Sequence, residues 1–204
     1  MRRVLVAAAA VLLLAACTPQ APTSSSGAGA VTETQTRVDV DTAALRALKA
    51  EAGVEPCRAG TATNRLPAVT LQCLGGGPAV DLTTLRGPLV INLFAQWCVQ
   101  FRGELPAFQR LHTQAKGAVR VLGVDYLDTK PEAALELVRA TGVTYPLLAD
   151  PGGVLAPRFR IRGLPGVVLV DEDGKVAAVE FRVFRSYAEL RTVVQQRLGV
   201  TIPA

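Results

Sequence analysis

The chain has 204 residues, half of them hydrophobic, with 22 basic and 17 acidic side chains and a formal net charge of +5. That length supports one domain with a sizeable core, since a domain of about 150 residues buries about two thirds of its unfolded surface. The modest, scattered charge excludes a nucleic-acid-binding footprint. One histidine and four cysteines leave no ligand cluster for zinc or haem, so no metal and no cofactor is expected.

Arg2 and Arg3 precede an apolar stretch, residues 4–16, that is too short to span a bilayer stably. Residues 1–16 therefore read as a signal peptide. Leu14-Ala15-Ala16-Cys17 looks like a bacterial lipobox, in which Cys17 is lipidated and becomes the first residue of the mature chain. An ordinary signal peptide cut at a small residue, with Cys17 incidental, is the other reading. Several acyl chains on Cys17 would anchor the protein stably, as a single chain would not, placing it as a lipoprotein on the outer face of the cytoplasmic membrane. Loss of Arg2 and Arg3 would leave a charge of about +3. Residues 17–40 then comprise the lipobox cysteine and a tether. Residues 18–37 are rich in Pro, Ser, Thr, Gly and Ala and bury too little surface to offset ordering entropy, although a frayed terminus would read alike.

The folded part begins near Val38. Residues 41–53 carry Leu45 and Leu48 at helical spacing, with Asp41 as an acidic N-cap and Gly53 as the stop; they open an N-terminal extension over residues 41–64. Residues 69–74 form a strand closed by Gly75-Gly76-Gly77, and residues 81–86 form a polar approach. The apolar run 89–95 predicts a central strand covered on both faces. A helix follows from about Cys98 to residue 116, with Pro106 inside it. Residues 119–125 are a second buried strand. Residues 131–141 are an amphipathic helix with Pro131 in its first turn and Gly142 at its end. A strand at 145–149 and a short helix at 154–159 come next. Residues 166–170 and 175–181 make a β-hairpin around the turn 171–174. The last helix, 186–198, has Ser186 as N-cap and Glu189 three residues on, a capping box. Strands alternating with helices define an α/β domain, placed here at residues 65–204.

Chemistry enters at Trp97-Cys98-Val99-Gln100-Phe101. Cys98 would sit at a helix N-terminus, where free N–H groups and the helix dipole favour a thiolate. Strand, Trp-Cys turn and a helix containing Pro106 resemble the thioredoxin superfamily, and most closely its TlpA/ResA-type redoxin (AhpC/TSA-like) members, whose motif is Trp-Cys-x-x-Cys followed by a kinking proline. The resemblance covers about residues 65–198. It implies a thioredoxin-like fold, with a central mixed β-sheet flanked by helices and an N-terminal extension. It also implies exchange with protein thiols and disulfides of the cell envelope, carried out by a monomer. Phe101 stands where the second cysteine belongs. It cannot resolve a mixed disulfide on Cys98, so resolution would need an external thiol.

Further residues follow from the same resemblance. Glu104, six residues after Cys98, matches a glutamate kept near the thiols and is the candidate acid/base, or else a surface carboxylate of the helix. Trp97 would pack beside the thiol, or serve the core alone. Leu164-Pro165 matches the cis-proline segment that presents its backbone to a bound peptide, with an ordinary trans turn as the alternative. Asn92 lies where thioredoxin has a buried acid, and its amide cannot titrate. In an oxidising compartment Cys57 and Cys73 would pair as a structural disulfide; otherwise they are two free buried thiols, or one of them resolves Cys98. Arg158, Arg160 and Arg162 form a solvated edge or favour the thiolate or an acidic partner.

Other chemistries find weaker support. His112 lies fourteen residues after Cys98, about 20 Å along a helix at 1.5 Å per residue, too far for a thiol–histidine pair. Ile91 and Ala95 occupy the positions where peroxiredoxins place Pro and Thr, which weakens a one-cysteine peroxidase. Gly75-Gly76-Gly77 lacks the lysine of a phosphate loop. The readings carried forward are a single-cysteine thiol-disulfide oxidoreductase, a non-catalytic thioredoxin-fold binding module, and the peroxidase.

Overall fold

A computed structural model describes residues 38–203. Six successive buried residues, Leu89–Phe94, form the central strand, and their alternation divides the core in two. In chain order the elements are α1 (Ala43–Glu51), β1 (Thr70–Cys73), β2 (Val80–Asp81), a 3-10 turn (Leu82–Thr84), β3 (Leu89–Phe94) and α2 (Phe101–Gln114). They continue with β4 (Arg120–Tyr126), α3 (Pro131–Thr141), β5 (Leu147–Asp150), α4 (Leu155–Phe159), β6 (Gly166–Val170), β7 (Val176–Glu180) and α5 (Tyr187–Leu198).

The seven strands lie in the order β2-β1-β5-β4-β3-β6-β7. The inner pairs β3–β4 and β4–β5 are parallel, as crossover helices require. The flanking pairs β1–β5, β3–β6 and β6–β7 are antiparallel, so the sheet is mixed. Side chains point to alternate faces: Val90 and Phe94 join the core beneath α2 and α5, while Leu89, Ile91 and Leu93 join the core on the other face, with Leu155 and Phe159 of α4. Asn92 shares the face of Val90 and Phe94, which turns its amide toward the helices that carry the site.

Helix ends follow local chemistry, with two departures from expectation. Pro131 opens α3 and Gly142, at φ +70°, closes it. Ser186 caps α5 by accepting from the Glu189 N–H at 3.2 Å, while the Glu189 carboxylate accepts from the Arg185 N–H at 3.0 Å. The cap of α1 is Thr42, whose Oγ1 accepts from the Leu45 N–H at 3.2 Å. Asp41 stands one residue too early to reach the first turn, and it pairs with Arg46 instead. The second departure is α2, which starts at Phe101 rather than Cys98. Residues 95–100 are taken up by turns, the Cys98 N–H donating to the Ala95 carbonyl at 3.2 Å. Among the described residues no helix is long and apolar enough to cross a membrane.

Candidate active site

Strand β3 ends at Phe94, and the turn that follows carries Trp97, Cys98 and Val99. Leu93 pairs with Gly166 in the antiparallel register, so Pro165 falls at the same end of the sheet. The Leu164–Pro165 bond is cis, and Leu164 packs on the apolar cluster that contains Cys98 and Phe101. Trp97 (52% exposed), Val99 (73%) and Leu127 (48%) are the exposed large apolar side chains among the described residues. Trp97 and Leu127 meet, the Trp97 indole N–H donating to the Leu127 carbonyl at 3.2 Å. Trp97 is therefore no core residue. Nearby, Arg162, Gly163, Leu164, Pro165 and Phe181 line a depression of about 410 Å3, with the Arg162 guanidinium 5.2 Å above the Phe181 ring.

Cys98 itself is buried, and its Sγ–H donates to the Gln100 side-chain oxygen at 3.1 Å. Burial pushes the thiol above its ordinary value; the Gln100 backbone N–H pulls it back in part, and the charge of Glu104 pushes it further up. This reverses the lowered value expected from a helix N-terminus. The physical reason is the late start of α2: Cys98 lies two residues before Gln100, the N-cap, rather than among the free N–H groups of the first turn.

Phe101 occupies the core with no exposed surface, edge-on to Phe94 at 6.3 Å. Glu104, on the first turn of α2, is also fully buried rather than on the helix surface. Its Oε1 accepts from the Phe184 N–H at 2.9 Å, while Oε2 is buried with no hydrogen-bond partner. Burial pushes its carboxyl up to about 7, against the pull of the Phe184 N–H and with a smaller push from Glu189. Asn92 donates from Nδ2 to the Tyr145 hydroxyl at 3.3 Å, and its Oδ1 has no partner. His112 pairs with Glu55 at 2.9 Å and stands edge-on to Tyr145.

Two further acids, Asp125 and Asp128, carry no motif signature in the sequence, and Asp128 is bonded to the turn. Asp128 Oδ2 accepts from the Gln96 N–H at 2.7 Å, and its Oδ1 from the Lys130 N–H at 2.9 Å. Asp125 pairs with Phe94 in the β3–β4 register. Its carboxyl is raised well above the usual range by burial, by the Asp128 charge and by a hydrogen bond to Asp128. The visible signal was a pair of acids three residues apart at the end of an apolar strand.

The other sulfurs lie elsewhere. Cys57 and Cys73 are joined, with Cα atoms 6.0 Å apart. Cys73 aligns across the sheet with Leu148, Val124 and Leu93 in turn, three strand spacings from β3, or about 14 Å. A direct bridge to Cys98 needs Cα atoms within about 7 Å, so Cys73 is not placed to resolve Cys98. The expected signal peptide (1–16), Cys17 and the tether through residue 37 lie outside the described residues.

Comparison with known proteins agrees with this picture. The AhpC/TSA family model matches residues 62–179. Over 113 residues the chain is 31% identical to the thiol:disulfide interchange protein HelX of Rhodobacter capsulatus, covering 54% of this chain and 62% of HelX. Over 115 residues it is 30% identical to the thioredoxin-like protein YneN of Bacillus subtilis, covering 54% and 65%. The match thus spans less than two thirds of either relative. Among solved structures, MTB dsbF, in mixed oxidised and reduced forms, superposes with a TM-score of 0.57 at 27% identity, over 65% of this chain and 98% of that one. A thioredoxin-like protein from Porphyromonas gingivalis gives 0.55 at 25% identity, over 68% and 94%. The fold is thioredoxin-like.

Proposed function

The chain belongs to the AhpC/TSA family, and on that premise we propose that it exchanges disulfides with protein thiols through one cysteine, Cys98. The observation that supports the reading is that Cys98, flanked in the chain by exposed Trp97 and Val99, belongs to the apolar cluster on which Leu164 of the cis-Leu164–Pro165 segment packs. A client chain laid along Leu164 and Pro165 would bring its disulfide to Cys98. Glu104 is the candidate proton acceptor, since a carboxyl near 7 exchanges protons readily at neutral pH. The Cys98 thiolate attacks one client sulfur, the client S–S bond breaks, and the departing client thiolate takes up the proton. With Phe101 in the resolving position, the mixed disulfide then waits for an external thiol.

The raised Cys98 thiol favours a second reading, a module that holds clients without reacting. Mass spectrometry after incubation with a peptide disulfide separates the two. A mixed disulfide on Cys98, absent from Cys98→Ser, supports exchange; a bound but unmodified protein supports the module. A peroxidase is less favoured, because Ile91 and Ala95 are buried and carry no hydroxyl.

The remaining proposals concern placement: a signal peptide at 1–16, a lipid on Cys17, a tether, an N-terminal extension at 41–64, and a monomer held at the outer face of the cytoplasmic membrane. Cys17→Ser should move the protein from the membrane to the soluble fraction without changing its melting temperature. Unchanged fractionation would refute the anchor.

A further inference from the structure

Lys49 is the buried cation of the described chain, 8% exposed. It stands on the last turn of α1, and its Nζ lies 2.9 Å from Cys73 Sγ and 2.7 Å from the Gly76 carbonyl. Glycines allow this enclosure. Gly75, Gly76 and Gly77 all adopt positive φ, a Cβ on Gly75 would meet the Lys49 Cβ at 2.8 Å, and one on Gly77 would meet Cys73 Sγ at 3.4 Å. The carboxylate that acts on the ammonium, Asp41, is exposed and paired with Arg46. A buried ammonium beside a neutral disulfide and a carbonyl is poorly compensated. Burial accordingly pushes its pKa down. The group that would compensate it is an anion at Cys73 Sγ, which is what reduction of the disulfide creates.

Access comes from the other sulfur. A cavity of about 390 Å3 has Cys57, but not Cys73, in its wall, together with Val80, Leu85, Leu122 and Pro146. None of its lining residues belongs to the Cys98 turn or the cis-proline segment. One sulfur therefore faces an entry route and the other faces a cation, the arrangement that directs exchange to one end of a disulfide: attack on the accessible sulfur, departure of the better-stabilised thiolate.

We propose that Cys57–Cys73 is a second redox site, opened by a small-molecule thiol that enters the cavity and attacks Cys57 while Cys73 departs as a thiolate onto the Lys49 ammonium. The steps balance as a two-electron reduction. The first thiolate forms a bond to Cys57 Sγ, and the Cys57–Cys73 bond breaks. A second thiolate attacks the outer sulfur of the mixed disulfide, giving the oxidised small disulfide, and Cys57 takes up a proton. Cys73 stays ionised beside Lys49. The covalent tie between residue 57 and β1 is thereby released by the thiol status of the surroundings, independently of Cys98.

The test uses the full-length protein carrying Cys98→Ser, equilibrated in graded ratios of reduced to oxidised glutathione, acid-quenched, alkylated and mapped by mass spectrometry. Lys49→Met should require about tenfold more reduced glutathione for half-reduction than the parent, the range expected for loss of one charge-assisted contact, and Lys49→Arg should stay near the parent. In the reduced parent, thiolate absorbance near 240 nm should titrate below the ordinary value of free cysteine, and the glutathione adduct should map to Cys57. Equal half-reduction ratios for Lys49→Met and the parent, an adduct on Cys73, or reduction seen only on unfolding would overturn the proposal. Should Lys49→Met fail to fold, the absorbance titration and adduct mapping of the parent decide alone: no thiolate at neutral pH overturns it.

Discussion

Cys98, in the turn after β3, and Cys73, at the end of β1, are both buried sulfurs, and the charges around them have opposite signs. Cys98 has the carboxylate of Glu104 acting on it, with Asp128 bonded to its own turn, and its proton is held by Gln100. Cys73 has an ammonium in contact. Exposure differs as well: the Cys98 turn is rimmed by apolar side chains open to solvent, whereas Cys73 sits behind Cys57 and a cavity. The lesson is that sulfur reactivity is set by neighbours rather than by sequence position. A thiol at a recognisable motif is restrained here, and a disulfide sulfur outside any motif has an ammonium in contact.

Changes that exchange features between the two regions sharpen this contrast. The largest effect is expected from Phe101→Cys, which would restore a resolving thiol to the first region. Phe101 is fully buried against Phe94, so truncation should cost roughly 3–4 kcal/mol in urea denaturation, a large part of a typical domain's stability. In return, the reduced variant should release two thiol equivalents per chain from a disulfide substrate instead of one, because the new thiol displaces the second from the mixed disulfide. A stable variant that still releases only one equivalent would show that Phe101 is not what holds the reaction at the mixed disulfide.

Removing the second region's bond should be nearly as costly. Cys57→Ala with Cys73→Ala opens a tie between residues 16 apart, a loss of about 3 kcal/mol by the chain-entropy argument. Adduct formation on Cys98 should keep its rate, because the two sites share no residues. A rate that falls with the tie would couple them and contradict their independence.

A smaller effect is expected from Glu104→Gln. The folded-state carboxyl is raised to about 7 from an ordinary 4.5. The folded state therefore holds this proton more tightly than the unfolded chain does. The stability that comes with it is complete below about pH 4.5 and is lost as pH rises through about 7. Thermal unfolding across that window should show the decline in the parent and a flatter profile in Glu104→Gln, with the Cys98 thiol titrating lower in the variant. An unchanged profile would place the titration elsewhere.

How far the sequence reveals this molecule depends on how local each cause is. Helix α3 is legible to the residue because Pro131 and Gly142 mark its ends chemically, and β3 is legible because a run of six residues that is apolar save for Asn92 has one resting place. The start of α2 is not, since the turns at 95–100 are anchored by Asp128, some thirty residues away. Glu104 reads equally as surface or buried until the Phe184 N–H, eighty residues on, is brought to it. Lys49 did leave a trace: it lies four residues after Leu45, on the apolar face of α1. Only the closing of the Gly75–Gly77 loop over it shows that the position is buried against Cys73.

The central claim is that Cys98 works without an internal partner, and the stoichiometry of the reaction tests it most directly. Full-length protein would be mixed with excess model disulfide, and the released thiol counted with no small thiol present. One equivalent per chain followed by arrest, with release resuming when a small thiol is added, is the result expected. Release of two equivalents per chain without added thiol, the count that an internal resolving group gives, would contradict the account and require a resolving group that this structure does not place beside Cys98.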